Sequence, residues 1–329
     1  MRAFLFSSLA FLVGLFAATG CNVEQVLEQL PESPQTQATS TAQPGAALPG
    51  NFQPGDLQPG SSIRVASFNI QVFGQSKMGK PDVMQTLTQV VKSFDVVAVQ
   101  ELRSKEQDVI PRWLEMINAD GSKWASLVGP RLGRTSSTEQ YVFLYNTEKI
   151  GFVEKSDFTI NDPHDLLHRE PHVASFYVRT IPGVQPFTFT LINIHTDPDE
   201  TDEELDALAE VFEVVRQANP NEDDVILLGD LNVDYTKMGM LGQIPGIVAT
   251  VQGTPTNTRK TKSYDNIVFD QRRTTEFTGQ AGVLDLMAAF KLTEEQALDV
   301  SDHLPVWATF SVTEAGAGPL AAAPGATAR

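Results

Sequence analysis

Apolar runs of four to eight residues recur along the middle of the chain, at 63–70, 95–100, 141–145, 187–194, 225–228, 266–269 and 305–310. Their length fits strands rather than helices. Two other stretches repeat their apolar residues every three to four positions. One is 81–94, with Val83, Leu87, Val90 and Val91. The other is 203–217, with Leu205, Leu208, Val211, Phe212 and Val215. That period puts them on one helix face each. Strands dominate and helices fall between them, so the pattern predicts a mixed α/β domain.

Polar residues are placed as tellingly as apolar ones. ILLGDLNVDY, residues 226–235, opens as a buried strand and then sets Asp230, Asn232 and Asp234 at alternate positions. Five further segments also put an Asn, Asp, Glu or His at a strand terminus. They are Asn69 in ASFNI, Glu101 in VVAVQEL, His195 in LINIH, Asp265 in SYDNIVF, and Asp302 with His303 in VSDHLPV. One such residue usually marks a turn. Six segments carrying metal-binding and proton-transferring types point to strand ends that converge on one site.

Charge and composition change the picture mainly at the ends. Residues 1–20 carry Arg2, a long apolar run and small residues before Cys21, the layout of an export signal. ATGC, residues 18–21, resembles a bacterial lipoprotein cleavage box, which makes Cys21 a candidate lipidation site. Residues 21–60, rich in Gln, Pro, Gly, Ser and Thr, read as a tether, and 314–329 as a similar tail. The fold is expected within 61–313. With one Cys there is no intramolecular disulfide, so packing must hold the domain. The expected setting is export to a bacterial cell envelope, with the chain membrane-anchored through lipid and monomeric; the alternative is an ordinary cleaved signal with an incidental Cys21 and a secreted chain. Net charge is −17, of which −14 lies beyond residue 60. This argues against a broad electrostatic footprint for nucleic acid but leaves room for a local basic groove. His164, His168 and His172 are spaced by four, but Pro163 and Pro171 interrupt any helical metal stripe.

FNIQVFGQSKM, VQELR, LGRTSSTEQYVF, REP, GDLN, YDNIV and SDHLPV occur in that order from about residue 64 to 310. In this the chain resembles the endonuclease/exonuclease/phosphatase superfamily, and within it the deoxyribonuclease I type. The resemblance implies a four-layer α/β sandwich, two packed mixed β-sheets flanked by helices. It also implies phosphodiester hydrolysis with Mg²⁺ or Mn²⁺, with Ca²⁺ as a further candidate, and DNA as substrate. By position, His303 matches the general base and Asp265 its orienting carboxylate. His195 matches the second histidine and Glu139 its partner. Glu101 matches the principal metal ligand, with Asp302, Asp230 and Asn69 completing an oxygen-rich set. Asn232 and Arg169 match phosphate-side groups, and Arg103 and Arg134 match DNA-contacting arginines. Asp157, Asp165 and Glu170 fall where the family has a structural calcium site.

The departures are local. Ser137 stands where the deoxyribonuclease pattern has a groove-packing tyrosine, and Thr135 where it has asparagine. Duplex contact is therefore expected to be weaker or the substrate different. The leading expectation is an exported endonuclease acting on DNA. The alternative keeps the same centre but acts on phospholipid or another small phosphoester.

Overall fold

The computed structural model describes residues 62–134, 138–180 and 182–314. Among them, one sheet runs in the order β12 (Phe277–Val283), β13 (Val306–Ser311), β1 (Ser62–Phe73), β2 (Val96–Leu102), β4 (Gln140–Asn146), β3 (Trp124–Val128). The other runs β10 (Ile247–Ala249), β11 (Asp265–Asp270), β9 (Val225–Asp230), β8 (Thr188–His195), β7 (His172–Val178), β5 (Ile150–Phe152), with β6 (Phe158–Thr159) also on β7. The helices are α1 (Gln75–Met78), α2 (Pro81–Lys92), α3 (Val109–Ile117), α4 (Thr201–Ala218), α5 (Leu286–Phe290) and α6 (Glu294–Val300). Both sheets are mixed. β1 and β2 are parallel, as are β8 and β9, and the other ladders are antiparallel.

Side-chain alternation explains why four layers form. Along β1, Ile63 and Val65 enter the core between the sheets, while Ala66, Phe68 and Ile70 join a second core. There Val83, Leu87, Val90 and Val91 of α2 and Trp113 of α3 cover that outer face. The other sheet repeats the scheme. Leu191, Ile226, Leu228, Ile267 and Phe269 face inward, while Ile192, Leu227 and Val268 pack under Leu205, Leu208, Val211 and Phe212 of α4. A sheet apolar on both faces needs cover on both, which the helices supply. No helix among the described residues is long and apolar enough to cross a membrane.

Candidate active site

The alternation that builds the inner core also builds the site. Asn69 continues the inward row of β1, His195 that of β8, Asp230 that of β9, and Asp265 begins that of β11. Each lies where its strand leaves the apolar core, and all four are buried. Beneath them, Gln100 Nε2 donates to Ser67 Oγ at 3.1 Å and to Asn193 Oδ1 at 2.6 Å, a polar floor between the sheets. Gly229, just before Asp230, has φ +155°, and a Cβ there would sit 1.9 Å from the Ile194 carbonyl oxygen. The parallel β8–β9 pair closes at the site only because this residue has no side chain.

Two histidine–carboxylate pairs flank Asp230. His303 Nδ1 lies 2.9 Å from Asp265 Oδ2, and His195 Nδ1 lies 2.8 Å from Glu139 Oε1. The opposite nitrogens face one carboxylate, with His303 Nε2 at 3.5 Å and His195 Nε2 at 3.6 Å from Asp230 Oδ2. A carboxylate at Nδ1 requires a proton there and leaves Nε2 to exchange one. Burial opposes charge on His303, but Asp265 and Asp230 outweigh it and push its pKa up to about 10. For His195 burial is likewise outweighed by Glu139 and Asp230, so its pKa is also raised. Burial opposes the charge on Asp230, yet the two histidines hold its pKa below the usual carboxylate range. Burial pushes the Asp265 pKa upward, and the like charge of Asp230 adds to it, against the attraction of His303.

The second element of the centre is rich in oxygen. Asn69 Nδ2 donates to Asp230 Oδ2 at 2.9 Å and to Glu101 Oε1 at 3.2 Å. Val72 N donates to Glu101 Oε2 at 2.7 Å. Reaching this geometry puts Gln71, Val72 and Glu101 at positive φ, a strained turn of the kind found at functional sites. Asp302 Oδ1 is shielded from solvent and accepts no hydrogen bond. Buried oxygens of Asp, Glu and Asn with an orphaned carboxylate atom suit a hard divalent cation such as Mg²⁺. Asp230, Asp265 and His303 also bring ligand atoms within 4.8 Å of one another.

Residues 66–303 match the model of the Endonuclease/Exonuclease/phosphatase family. The chain belongs to this family. Deoxyribonuclease-1-like 1 of Homo sapiens is 33% identical over 266 residues, covering 77% of this chain and 86% of its own. Deoxyribonuclease gamma of Homo sapiens is 32% identical over 264 residues, covering 74% and 85%. Among solved structures, D. rerio TDP2 complexed with single strand DNA product aligns with TM-score 0.53 at 16% identity. That alignment covers 76% of this chain and 99% of TDP2, and it establishes a shared fold. The four-layer sandwich expected from the sequence is thus the fold of the family.

Around this family centre the expected substrate-side residues behave differently from one another. Asn232, at φ +52°, donates from Nδ2 to Thr196 O at 2.8 Å and from its backbone N to Asp230 Oδ1 at 3.0 Å. Arg169 was expected at the phosphate, but it is 4% exposed. Its guanidinium donates to the carbonyls of His195 and Thr196, both at 3.1 Å, and so props the histidine strand from behind. Arg103 lies 3.1 Å from Glu101 and 3.7 Å from Glu139, bridging the two halves of the centre rather than projecting from it. Arg134 is tied to Asp165 and Glu200. The expected calcium trio is not gathered: Asp157 pairs with His172, Asp165 with Arg134, and no three-ligand group among the described residues contains them or Glu170. His168 lies in a loop and His172 begins β7, so no helical histidine stripe exists. Thr135, Ser137 and Cys21 lie outside the described residues.

Several supporting residues escaped the sequence reading. Tyr141 accepts from His195 N at 2.9 Å. Thr256 Oγ1 donates to Asp265 Oδ2 at 2.7 Å, and Ser301 Oγ donates to the Asn69 carbonyl at 2.7 Å. The buried Lys77 ammonium donates to the carbonyls of Ile70, Gln71 and Val300, joining the end of β1 to the SDH loop. Their only signal was position near the motifs, since threonine, serine and lysine are common everywhere.

Proposed function

We propose that this chain is a metal-dependent phosphodiesterase that cleaves DNA internally, leaving 5′-phosphate and 3′-hydroxyl ends. The observation that carries this reading is the pair of histidines, each held by its own carboxylate, whose Nε2 atoms face one carboxylate at 3.5 and 3.6 Å. With the carboxylate charge that raises its pKa offset by a divalent cation beside Asp230 and Asp302, His303 would be neutral at Nε2 and take a proton from water as the water oxygen bonds to phosphorus. His195, charged, gives a proton to the leaving 3′-oxygen as the phosphorus–oxygen bond breaks. Asp265 and Glu139 fix the tautomers and stabilise the imidazolium forms. Glu101, with Asp302, Asp230 and Asn69, would hold a divalent cation, which when bound would polarise phosphate oxygens and offset charge at phosphorus. Asn232 stands beside this set, positioned to donate to phosphate once its amide turns from Thr196.

Deoxyribonuclease relatives at about a third identity support DNA as substrate. A second reading, a phospholipid or other small phosphoester, is favoured by one observation: Arg103 and Arg134 are both ion-paired within the protein. The decisive assay uses the purified full chain with Mg²⁺ or Mn²⁺. It should nick supercoiled plasmid, and His303→Ala should be nearly inactive. Plasmid left intact while phosphocholine is released from lipid would overturn the nuclease reading in favour of the second. The proposal extends to location: export and lipid attachment at Cys21, to be read by mass spectrometry of the mature N-terminus. An unmodified chain beginning elsewhere would exclude the anchor.

A further inference from the structure

The strands that carry the catalytic groups at one end carry a second polar cluster at the other. His195 ends β8 and Thr188 begins it; Asp230 ends β9 and Asp224 precedes it. Asp265 begins β11, and Thr274 and Glu276 follow it; His303 precedes β13 and Glu314 follows it. Strands of six residues put the two clusters about 20 Å apart. Carboxylate oxygens of Asp224, Glu276 and Glu314 lie within 4.8 Å of one another. Three separate chain segments thus deliver acids to one point. Glu222 accepts from Asp224 N at 3.0 Å, and Glu314 accepts from Thr188 N at 2.9 Å, so the backbone fixes their placement.

A second observation sets this cluster apart from a solvated acidic face. Asp224 is 1% exposed, and its Oδ1 is sealed from solvent and accepts no hydrogen bond. The side chain of Thr274, a residue 2% exposed, stands beside Asp224 within reach of its carboxylate. The charges acting most strongly on Asp224 are those of Glu276, Glu222 and Glu314, all of its own sign. Buried like charges are unfavourable unless protons neutralise them or a positive charge joins them.

We propose that Asp224, Glu276 and Glu314 form a structural calcium site, with Glu222 and the Thr274 hydroxyl as its nearest additional oxygens. The donors are all oxygen, which excludes soft-metal preferences. Several carboxylates, each able to bind through one or two oxygens, suit the six to eight ligands of Ca²⁺ better than the water-retaining octahedron of Mg²⁺. A cation there would clamp the start of β9 through Asp224, the start of β12 through Glu276 and the end of β13 through Glu314, with Thr188 tying in β8 and Thr274, whose N–H donates to the Asp270 carbonyl, tying in the end of β11. It would therefore stiffen the elements that position His195, Asp230, Asp265 and His303. The inference does not depend on the nuclease reading.

The test uses the full chain, stripped with chelator and titrated with calcium alone, by calorimetry and thermal melting. Wild type should gain roughly 5–10 °C at about a hundredfold excess over Kd. Asp224→Asn and Glu314→Gln should each lose most of that gain and one equivalent of bound calcium. Counting equivalents separates this site from the catalytic centre. Glu314 is less buried than Asp224, so Glu314→Gln serves if Asp224→Asn does not fold. A full calcium gain in Glu314→Gln overturns the proposal. So does a wild type that calcium leaves unshifted, while Asp224→Asn melts higher regardless of calcium; that result would mean shared protons hold the cluster.

Discussion

At the scale of single residues, the centre is two histidines made different by what holds them. Glu139 fixes His195, and if His195 protonates the leaving oxygen, Glu139→Gln should slow plasmid cleavage by about 10²–10³-fold. The same variant should lose far less on a p-nitrophenyl phosphodiester, whose leaving group needs no proton. Equal losses on both substrates would remove His195 from the acid role. The pH dependence of stability tests the second dyad in chelator. The pKa of His303 is raised from 6.5 to about 10 in the folded state, so its stabilising contribution is complete below 6.5 and fades as pH climbs through 10. His195 acts with the same sign. Urea midpoints of wild type should therefore fall across that window, and His303→Ala should flatten the fall. An unchanged slope in the variant would mean the dyad does not hold its proton as the geometry implies.

Elements show which parts of the fold the chain announces. The seven apolar runs became β1, β2, β4, β8, β9, β11 and β13, because these strands are the centre of the two sheets and must be apolar. β12 hides behind FTGQAGV, whose middle is exposed, and β7 behind HVASFYV, whose apolar run is broken by Ser175. α3 contains Pro111, which reads as a breaker, yet Pro111 sits in the first turn, where no intrahelical N–H is needed. The site was legible for a related reason. Asn69, His195, Asp230 and Asp265 each keep the inward parity of an apolar strand, so the pattern points to them. Arg169 was not legible, because a guanidinium that serves two carbonyls from behind looks in sequence like one that serves a phosphate. Gly229 links the scales. With φ +155° and the Ile194 carbonyl where a Cβ would go, Gly229→Ala should cost at least about 2 kcal/mol by urea denaturation. Wild-type stability in that variant would show that the β8–β9 closure is looser than the Ile194 carbonyl contact implies.

For the whole molecule, the proposed DNA substrate raises a question, because a chain of net charge −17 would have to meet a polyanion. A broad basic footprint would make binding collapse with salt, because each neutralised phosphate releases counterions. Here the arginines nearest the centre are already spoken for. Arg103 sits between Glu101 and Glu139, Arg134 between Asp165 and Glu200, and Arg169 is buried behind His195. On the proposed reading, charge neutralisation would then fall to a bound cation and the two histidines, all directed at one phosphate. One or two effective contacts predict that KM for plasmid rises only about 3- to 12-fold between 50 and 200 mM monovalent salt at fixed Mg²⁺. A footprint of six or more contacts would raise it about a thousandfold or more. The series is worth repeating with Arg103→Gln. If the arginine stays between its two carboxylates during binding, the variant changes kcat and leaves the salt slope alone. A slope that is steep in wild type and shallower by about one in the variant would show instead that substrate draws Arg103 out of the centre and onto the nucleic-acid backbone.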